Sequence, residues 1–270
     1  MPHYICTTCG VQYAESEGYP VEICTICADD RQYVKPSGQE WTTLEELRRT
    51  HRNEIRAVEP GLTGIATVPG FTIGQRPLLV QTPDGNVLWD CISLIDDETV
   101  AALNALGGVD AIAISHPHFY DSMVDWSQAF HDAPIYLHRD NERWVMRPDK
   151  RIVYWETETH TLLPGVTLIR CGGHFPGSTV LHWAHGAEGK GALLTGDTIM
   201  VVADTNWVTF MYSYPNDIPL NRAAVERIVA AVEPYAFDRL YGGWWEKVVP
   251  ADAKNVVRRS AERYIRAISD

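Results

Sequence analysis

Three times in this 270-residue chain a short apolar run stops and a potential metal ligand follows at once. Ala111-Ile-Ala-Ile-Ser115 runs into His116-Pro-His118-Phe-Tyr120-Asp121, and Val166-Thr-Leu-Ile-Arg170 runs into Cys171-Gly-Gly-His174-Phe-Pro-Gly-Ser178. Leu193-Leu-Thr-Gly196 runs into Asp197. Short, unbroken runs rich in branched residues read as buried strands. Open α/β sheets bind ligands beyond the carboxyl ends of their strands. The pattern therefore demands a fold that gathers several strand ends on one rim. Residues i and i+2 of an extended segment point the same way, so His116 and His118 can converge on one ion. Pro117 stiffens their loop, and the glycines beside His174 and Asp197 let backbone approach closely.

On His116-Pro-His118, Gly173-His174-Phe-Pro-Gly-Ser178 and Thr195-Gly-Asp197, with Leu88-Trp-Asp90 upstream, the chain resembles the metallo-β-lactamase-fold hydrolase superfamily over roughly Gly61 to Trp245. The resemblance implies an α/β fold, the αββα sandwich, with a metal site at one edge of the paired sheets. It implies that Asp90 is a structural carboxylate. His116, His118 and His174 are the implied ligands of a first metal position, and Asp197 is the shared ligand. The family pattern His-x-His-x-Asp-His is broken here, because its last two slots hold Tyr120 and Asp121. The family's final His, after a Gly near the end of the domain, is missing too. That stretch reads Tyr241-Gly-Gly-Trp244-Trp245-Glu246, and no His follows residue 185. One ion rather than two is the expectation.

The chemistry expected of such a site is metal-dependent hydrolysis of an ester, thioester, lactone or amide. Three imidazoles leave an open position for water, as catalytic zinc sites require. Asp197 would ligate or accept the water's proton, Asp121 would orient the water, and Tyr120 would donate to a developing oxyanion. Zinc is the expected ion, with iron or manganese as the other metals such donors accept. Two further readings stand beside hydrolysis. The set His116, His174 and Asp197 has the two-His, one-carboxylate composition of non-haem Fe(II) oxygenases, which resembles the mononuclear iron persulfide dioxygenases of the same superfamily. A decayed enzyme acting as a non-catalytic binding protein is the other.

The N-terminus carries its own metal signature. Cys6-Thr-Thr-Cys9 and Cys24-Thr-Ile-Cys27 are separated by 14 residues, a spacing that can set four thiolates tetrahedrally around structural zinc. Gly10 allows the first knuckle to turn back on itself. About 40 residues cannot build a sufficient core alone, so metal must supply the folding energy of this ribbon. Its two cations, Arg31 and Lys35, face Glu15, Glu17, Glu22, Asp29, Asp30 and Glu40. An acidic ribbon is a poor phosphate binder, and a net charge of −12 for the whole chain argues against a nucleic-acid partner. The partner expected is a small-molecule substrate, with a homo-oligomer open. No run of 18 apolar residues suggests a membrane span and no signal-peptide pattern opens the chain, so a reducing, cytoplasmic setting is expected.

The organisation expected is a zinc ribbon over 1–40, a linker helix over 41–60 and the hydrolase domain over 61–270. Thr43 and Glu46 have capping-box spacing, and Trp41, Leu44, Leu47, His51 and Ile55 would make one buried stripe. Strands are expected at 62–68, 77–82 and 86–91. Helices are expected at 96–106, 122–130, 219–232 and 252–268. His182 and His185, three apart on a strand-like run, face opposite ways and are expected to be structural. His51, His131, His138 and His160 match no motif. Cys91 and Cys171 read as buried small hydrophobes, with Cys171 close enough to His174 to merit inspection. Trp207, Phe210, Tyr212 and Tyr214 read as core or as a wall facing substrate.

Overall fold

The alternation of apolar residues from Arg52 onward builds a meander before the first helix of any length forms. In the computed structural model, which describes residues 1–269, the chain opens with β1 (Tyr4–Cys6) paired antiparallel to β2 (Trp41–Thr43). Helix α1 (Leu44–Thr50) follows, started by the expected capping box between Thr43 and Glu46. It then stops. From Arg52 the chain is extended as β3 (Arg52–Glu59), paired antiparallel to β4 (Leu62–Val68), so Ile55 lies opposite Ile65 rather than on a helical stripe. A seven-residue helix is marginal by itself, whereas the β3–β4 ladder satisfies a long run of backbone groups. The linker helix expected over 41–60 is thus confined to the seven residues Leu44–Thr50, about two turns, and Trp41 belongs to the ribbon's sheet.

Strands β5 (Leu78–Thr82), β6 (Gly85–Trp89), β7 (Ala111–Ala113), β8 (Ile135–His138) and β9 (Ile152–Trp155) complete a seven-stranded sheet in the order β3-β4-β5-β6-β7-β8-β9. The β6–β7 and β7–β8 pairs are parallel. Their crossovers carry α2 (Asp97–Ala105), capped by the Asp96 side chain on Thr99 N, and α3 (Met123–Ala129). This sheet and the ribbon make one unit, Met1–Leu137 with Glu142–Tyr154. In it Ile5 of the ribbon, Leu47 and Leu94 form a small buried cluster, so the ribbon shares apolar packing with the sheet's own unit.

The second unit, His138–Asn141 with the chain from Trp155 onward, is built separately. Strands β10 (Thr159–Leu163), β11 (Val166–Arg170), β12 (Thr179–Trp183) and β13 (Ala192–Gly196) form an antiparallel run, with a short kinked turn α4 (Gly186–Gly189) before β13. Two hairpins follow, β14 (Met200–Val201) with β15 (Val208–Thr209) and β16 (Met211–Ser213) with β17 (Ile218–Pro219). Helix α5 (Arg222–Val232), capped by Asn221, leads to β18 (Arg239–Gly242), which pairs parallel to β13; β19 (Val248–Val249) closes the edge before α6 (Ala253–Ala267). Val225, Ile228 and Val232 of α5 and Val256, Val257 and Ala261 of α6 pack with Ile169, Val180, Leu193 and Leu240 of the sheet. The α5 residues are spaced three and four apart, and in α6 Ala261 comes one turn after the adjacent Val256 and Val257, so each helix buries one face. No helix among the described residues is long and apolar enough to cross a membrane.

Candidate metal centres

His116 and His118 sit where β7 ends, and a buried carboxylate fixes that end. Asp90, just past β6 and in the left-handed region at φ 65°, donates its backbone N–H to Ala113 O at 2.9 Å. Its Oδ1 accepts the Ser115 N–H at 2.8 Å. Burial raises the Asp90 carboxyl to about 7. Ser115 Oγ in turn lies 2.9 Å from His116 Nδ1. That contact occupies one ring nitrogen and leaves Nε2 as the atom that could ligate an ion, the arrangement by which a neighbouring group orients a metal-binding imidazole. The loop is not extended as the sequence suggested. Pro117–Phe119 form a 3-10 turn, closed by Phe119 N on His116 O at 3.1 Å. The turn still brings the imidazoles together, with ring centroids 5.1 Å apart. Tyr120 ends the turn, 2% exposed, with its N–H on Pro117 O.

His174 and Asp197 are brought together in the second unit. The Cys171–Ser178 loop folds on itself: Cys171 N and Gly172 N both donate to Ser178 O, and Phe175 N donates to Ser178 Oγ at 2.8 Å. Gly173 has φ 82°, and a Cβ there would lie 2.9 Å from both Ile228 Cδ1 and Leu220 Cδ1, so only glycine fits. His174 Nδ1 donates to the carbonyl of Tyr212 at 2.8 Å. Its Nε2 lies 3.9 Å from Asp197 Oδ2. Asp197 follows Gly196 at the end of β13, and the buried Tyr214 hydroxyl donates to its carbonyl at 2.6 Å. Of the aromatic cluster, Phe210 is core, the Tyr212 carbonyl holds the His174 ring, Tyr214 holds the Asp197 backbone, and Trp207 carries the guanidinium of Arg263 at 3.7 Å. The backbone carbonyl on His174 has no sequence signature and was invisible in the residue pattern.

Among the described residues, two groups of side chains could hold a metal ion. One is His116, His118, His174 and Asp197, all buried, each offering a ligand atom, with these atoms within 4.8 Å of one another. Asp121 is not in that group. Its Oδ2 accepts from Gln75 Nε2 at 2.6 Å and its Oδ1 lies 2.5 Å from Ser93 Oγ, so the carboxyl expected to orient a metal's water is committed elsewhere. Ser93 Oγ also reaches Gly10 O at 3.0 Å. Burial pushes the Asp121 carboxyl well above its usual range, and the hydrogen bonds from Ser93 and Gln75 work against that rise. Four other histidines have structural surroundings. His182 Nε2 donates to Ala236 O at 2.8 Å, His51 lies against Phe71, and His138 and His160 both face Trp155. Cys91 and Cys171 are buried, and burial raises both thiols, Cys171 to about 12.

The other group is Cys6, Cys9, Cys24 and Cys27. The Sγ atoms of Cys6 and Cys27 are 3.6 Å apart and those of Cys9 and Cys24 are 3.7 Å apart. No disulfide joins them. A tetrahedral ion with sulfur ligands at about 2.3 Å has edges of about 3.8 Å, and both of these separations are close to that edge. Hydrogen bonds from its neighbours, Cys24 first, hold the Cys6 thiol well below its ordinary range, while burial raises that of Cys9. Outer donors support the negative sulfurs: Tyr13 Oη donates to Cys24 Sγ at 3.4 Å and Gln39 Nε2 to Cys6 Sγ at 3.2 Å. Gly10 N–H on Cys6 O at 2.9 Å and Ala28 N–H on Cys24 O at 2.9 Å close the two knuckles.

Solved structures share this architecture. VMB-1 aligns over 81% of the chain and 99% of its own length, with a TM-score of 0.61 at 12% identity. DIM-1 aligns over 80% and 98%, with a TM-score of 0.60 at 14% identity. FIM-1 of Pseudomonas aeruginosa, solved in its mono-zinc form, aligns over 78% and 95%, with a TM-score of 0.58 at 15% identity. The fold is the metallo-β-lactamase fold, an α/β sandwich, preceded by a four-cysteine ribbon. No family model matches the chain. The chain is 52% identical over 271 residues to the "Uncharacterized protein YmaE" of Bacillus subtilis (strain 168), covering 100% of this chain and 98% of that protein, and it belongs to the same family.

Proposed function

We propose that the chain is a metal-dependent hydrolase holding one ion at His116, His118 and His174, with Asp197 completing its shell or binding its water. The observation that carries this reading is the donor set: three buried imidazoles and one carboxylate within reach of a single ion. Two of the imidazoles have Nδ1 engaged, by Ser115 Oγ and by the Tyr212 carbonyl, which directs Nε2 to the metal. That composition suits zinc, and the four cysteines suit a second, structural zinc. When bound, a zinc ion at the histidines would lower the pKa of a water towards about 7 and polarise a carbonyl. Asp197 Oδ2 would be placed to take a proton from such a water, and Tyr214 holds the Asp197 backbone in place. A second ion in the same site lacks ligands, because Asp121 is engaged by Gln75 and Ser93 and the tail of the domain offers tryptophans. FIM-1 has been solved with the same fold in a mono-zinc form. The substrate is a small molecule with an ester, thioester, lactone or amide bond.

The test pairs elemental analysis of protein purified without added metal with turnover on a panel of those four bond types. Two zinc ions per chain are expected, with hydrolysis lost in His174→Ala. Iron in place of the second zinc would replace hydrolysis with the oxygenase reading. Full metal occupancy with no turnover on any panel member would favour a binding protein.

A further inference from the structure

The ribbon does not merely precede the metal centre in sequence. Gly10, the residue after Cys9, lies against Asp121, three residues after His118. A Cβ at Gly10 would collide with the Asp121 carboxyl and come within 2.8 Å of Ser93 Oγ. Gly10 has φ 86°, so both its backbone and its missing side chain are required there. Gln12 N donates to Asp121 O at 3.0 Å. Gln12 Nε2 donates to Asp125 Oδ2 at 2.7 Å, and Arg147 joins Gln12 to Asp125. Asp121 itself has φ 42°, a left-handed conformation that a non-glycine residue keeps only when its surroundings enforce it. The enforcing groups are Ser93, Gln75, Gly10 and Gln12. Two come from the sheet's loops and two from the ribbon.

We infer that the first cysteine knuckle is a positioning element of the histidine loop, so that filling the four-cysteine site tightens metal binding at His116 and His118. The inference rests on the reading that both groups hold metal. An occupied ribbon fixes the Cys6–Cys9 knuckle and with it Gly10 and Gln12. These pin Asp121, and Asp121 pins the end of the 3-10 turn that carries both imidazoles. An emptied ribbon releases Gly10 and Gln12, and Asp121 loses two of its four restraints. Coupling of this kind is reciprocal, so the histidine site must also favour the filled ribbon. Asp121 acts in this scheme as a hydrogen-bonded wedge. Asparagine, which can donate to Ser93 through Nδ2 and accept from Gln75 through Oδ1, should replace it.

Cobalt(II) titration of the full chain separates the two sites, since thiolate ligation gives a charge-transfer band that the histidine site lacks. Ser93→Ala, Gly10→Ala and Asp121→Ala should keep the thiolate band and weaken cobalt at the histidine site by about tenfold or more, the usual effect of removing an outer partner of a metal ligand. Asp121→Asn should bind within about threefold of wild type. Cys24→Ser, which leaves only three thiolates and should weaken the ribbon's hold on metal, should also bind more weakly at the histidines. Gly10→Ala is the variant most prone to misfold, and Ser93→Ala carries the test if the knuckle fails to form. Wild-type affinity at the histidine site in both Ser93→Ala and Cys24→Ser would overturn the coupling alone. A wild-type chain with no cobalt outside the thiolate site would overturn the histidine centre, and the coupling with it.

Discussion

Asp90→Asn is the substitution whose effect can be worked from the structure most directly. Asp90 is fully enclosed, its carboxyl raised from 3.8 to about 7 by burial, and its Oδ1 holds the Ser115 N–H next to His116. A carboxyl with a raised pKa binds its proton more tightly in the folded state. Its penalty is absent below about pH 3.8, where both states are protonated, and grows as pH rises until it levels off above pH 7. Linkage with these two values gives a cost of about 2 kcal/mol at pH 5.5 and about 4 kcal/mol at pH 8. Asparagine does not titrate and keeps an oxygen for Ser115. Urea unfolding of both proteins at fixed metal concentration should therefore show Asp90→Asn gaining about 2 kcal/mol on the wild type between pH 5.5 and pH 8. A difference independent of pH across that range would refute the reasoning, because it would mean that Asp90 folds as an ordinary ionised carboxylate.

Other outcomes follow from single contacts. Cys24→Ser should cost one zinc per chain and expose residues 1–40 to protease, while the second unit, with its own core, stays folded; unchanged zinc content would sink the ribbon assignment. His174→Ala should remove the metal of the histidine site. His182→Ala should leave metal content alone and lower stability by about 1–3 kcal/mol, the cost of stranding the Ala236 carbonyl. Ile228→Ala, beneath Gly173 and wholly buried, should cost about 2–5 kcal/mol in thermal or urea unfolding; a loss below about 1 kcal/mol would mean that the second unit's core refills the space.

Much of the centre was legible because ligation chemistry is local. A strand-ending apolar run, a glycine and a histidine or carboxylate are adjacent in sequence, so His116, His118, His174 and Asp197 could be read directly. The same holds for the four cysteines, whose x-x spacing is the knuckle. Short-range helix signals also carried: Asp96 caps α2 and Thr43 with Glu46 caps α1, as their spacing predicts. The stripe running from Trp41 to Ile55 misled, because helical spacing over a short stretch competes with strand pairing whose partner, β4, lies further along the chain. Asp121 is the clearest case of what sequence withholds. Its position three residues after a ligand suggested chemistry at the metal, yet the direction of a side chain depends on which distant groups meet it. Gly10, Gln75 and Ser93 lie 111, 46 and 28 residues away in sequence, and only the tertiary fold brings them to one carboxyl. Which atoms can bind metal is a property of residue type and spacing; which of them are left to do so is decided by the hydrogen bonds that long-range packing supplies.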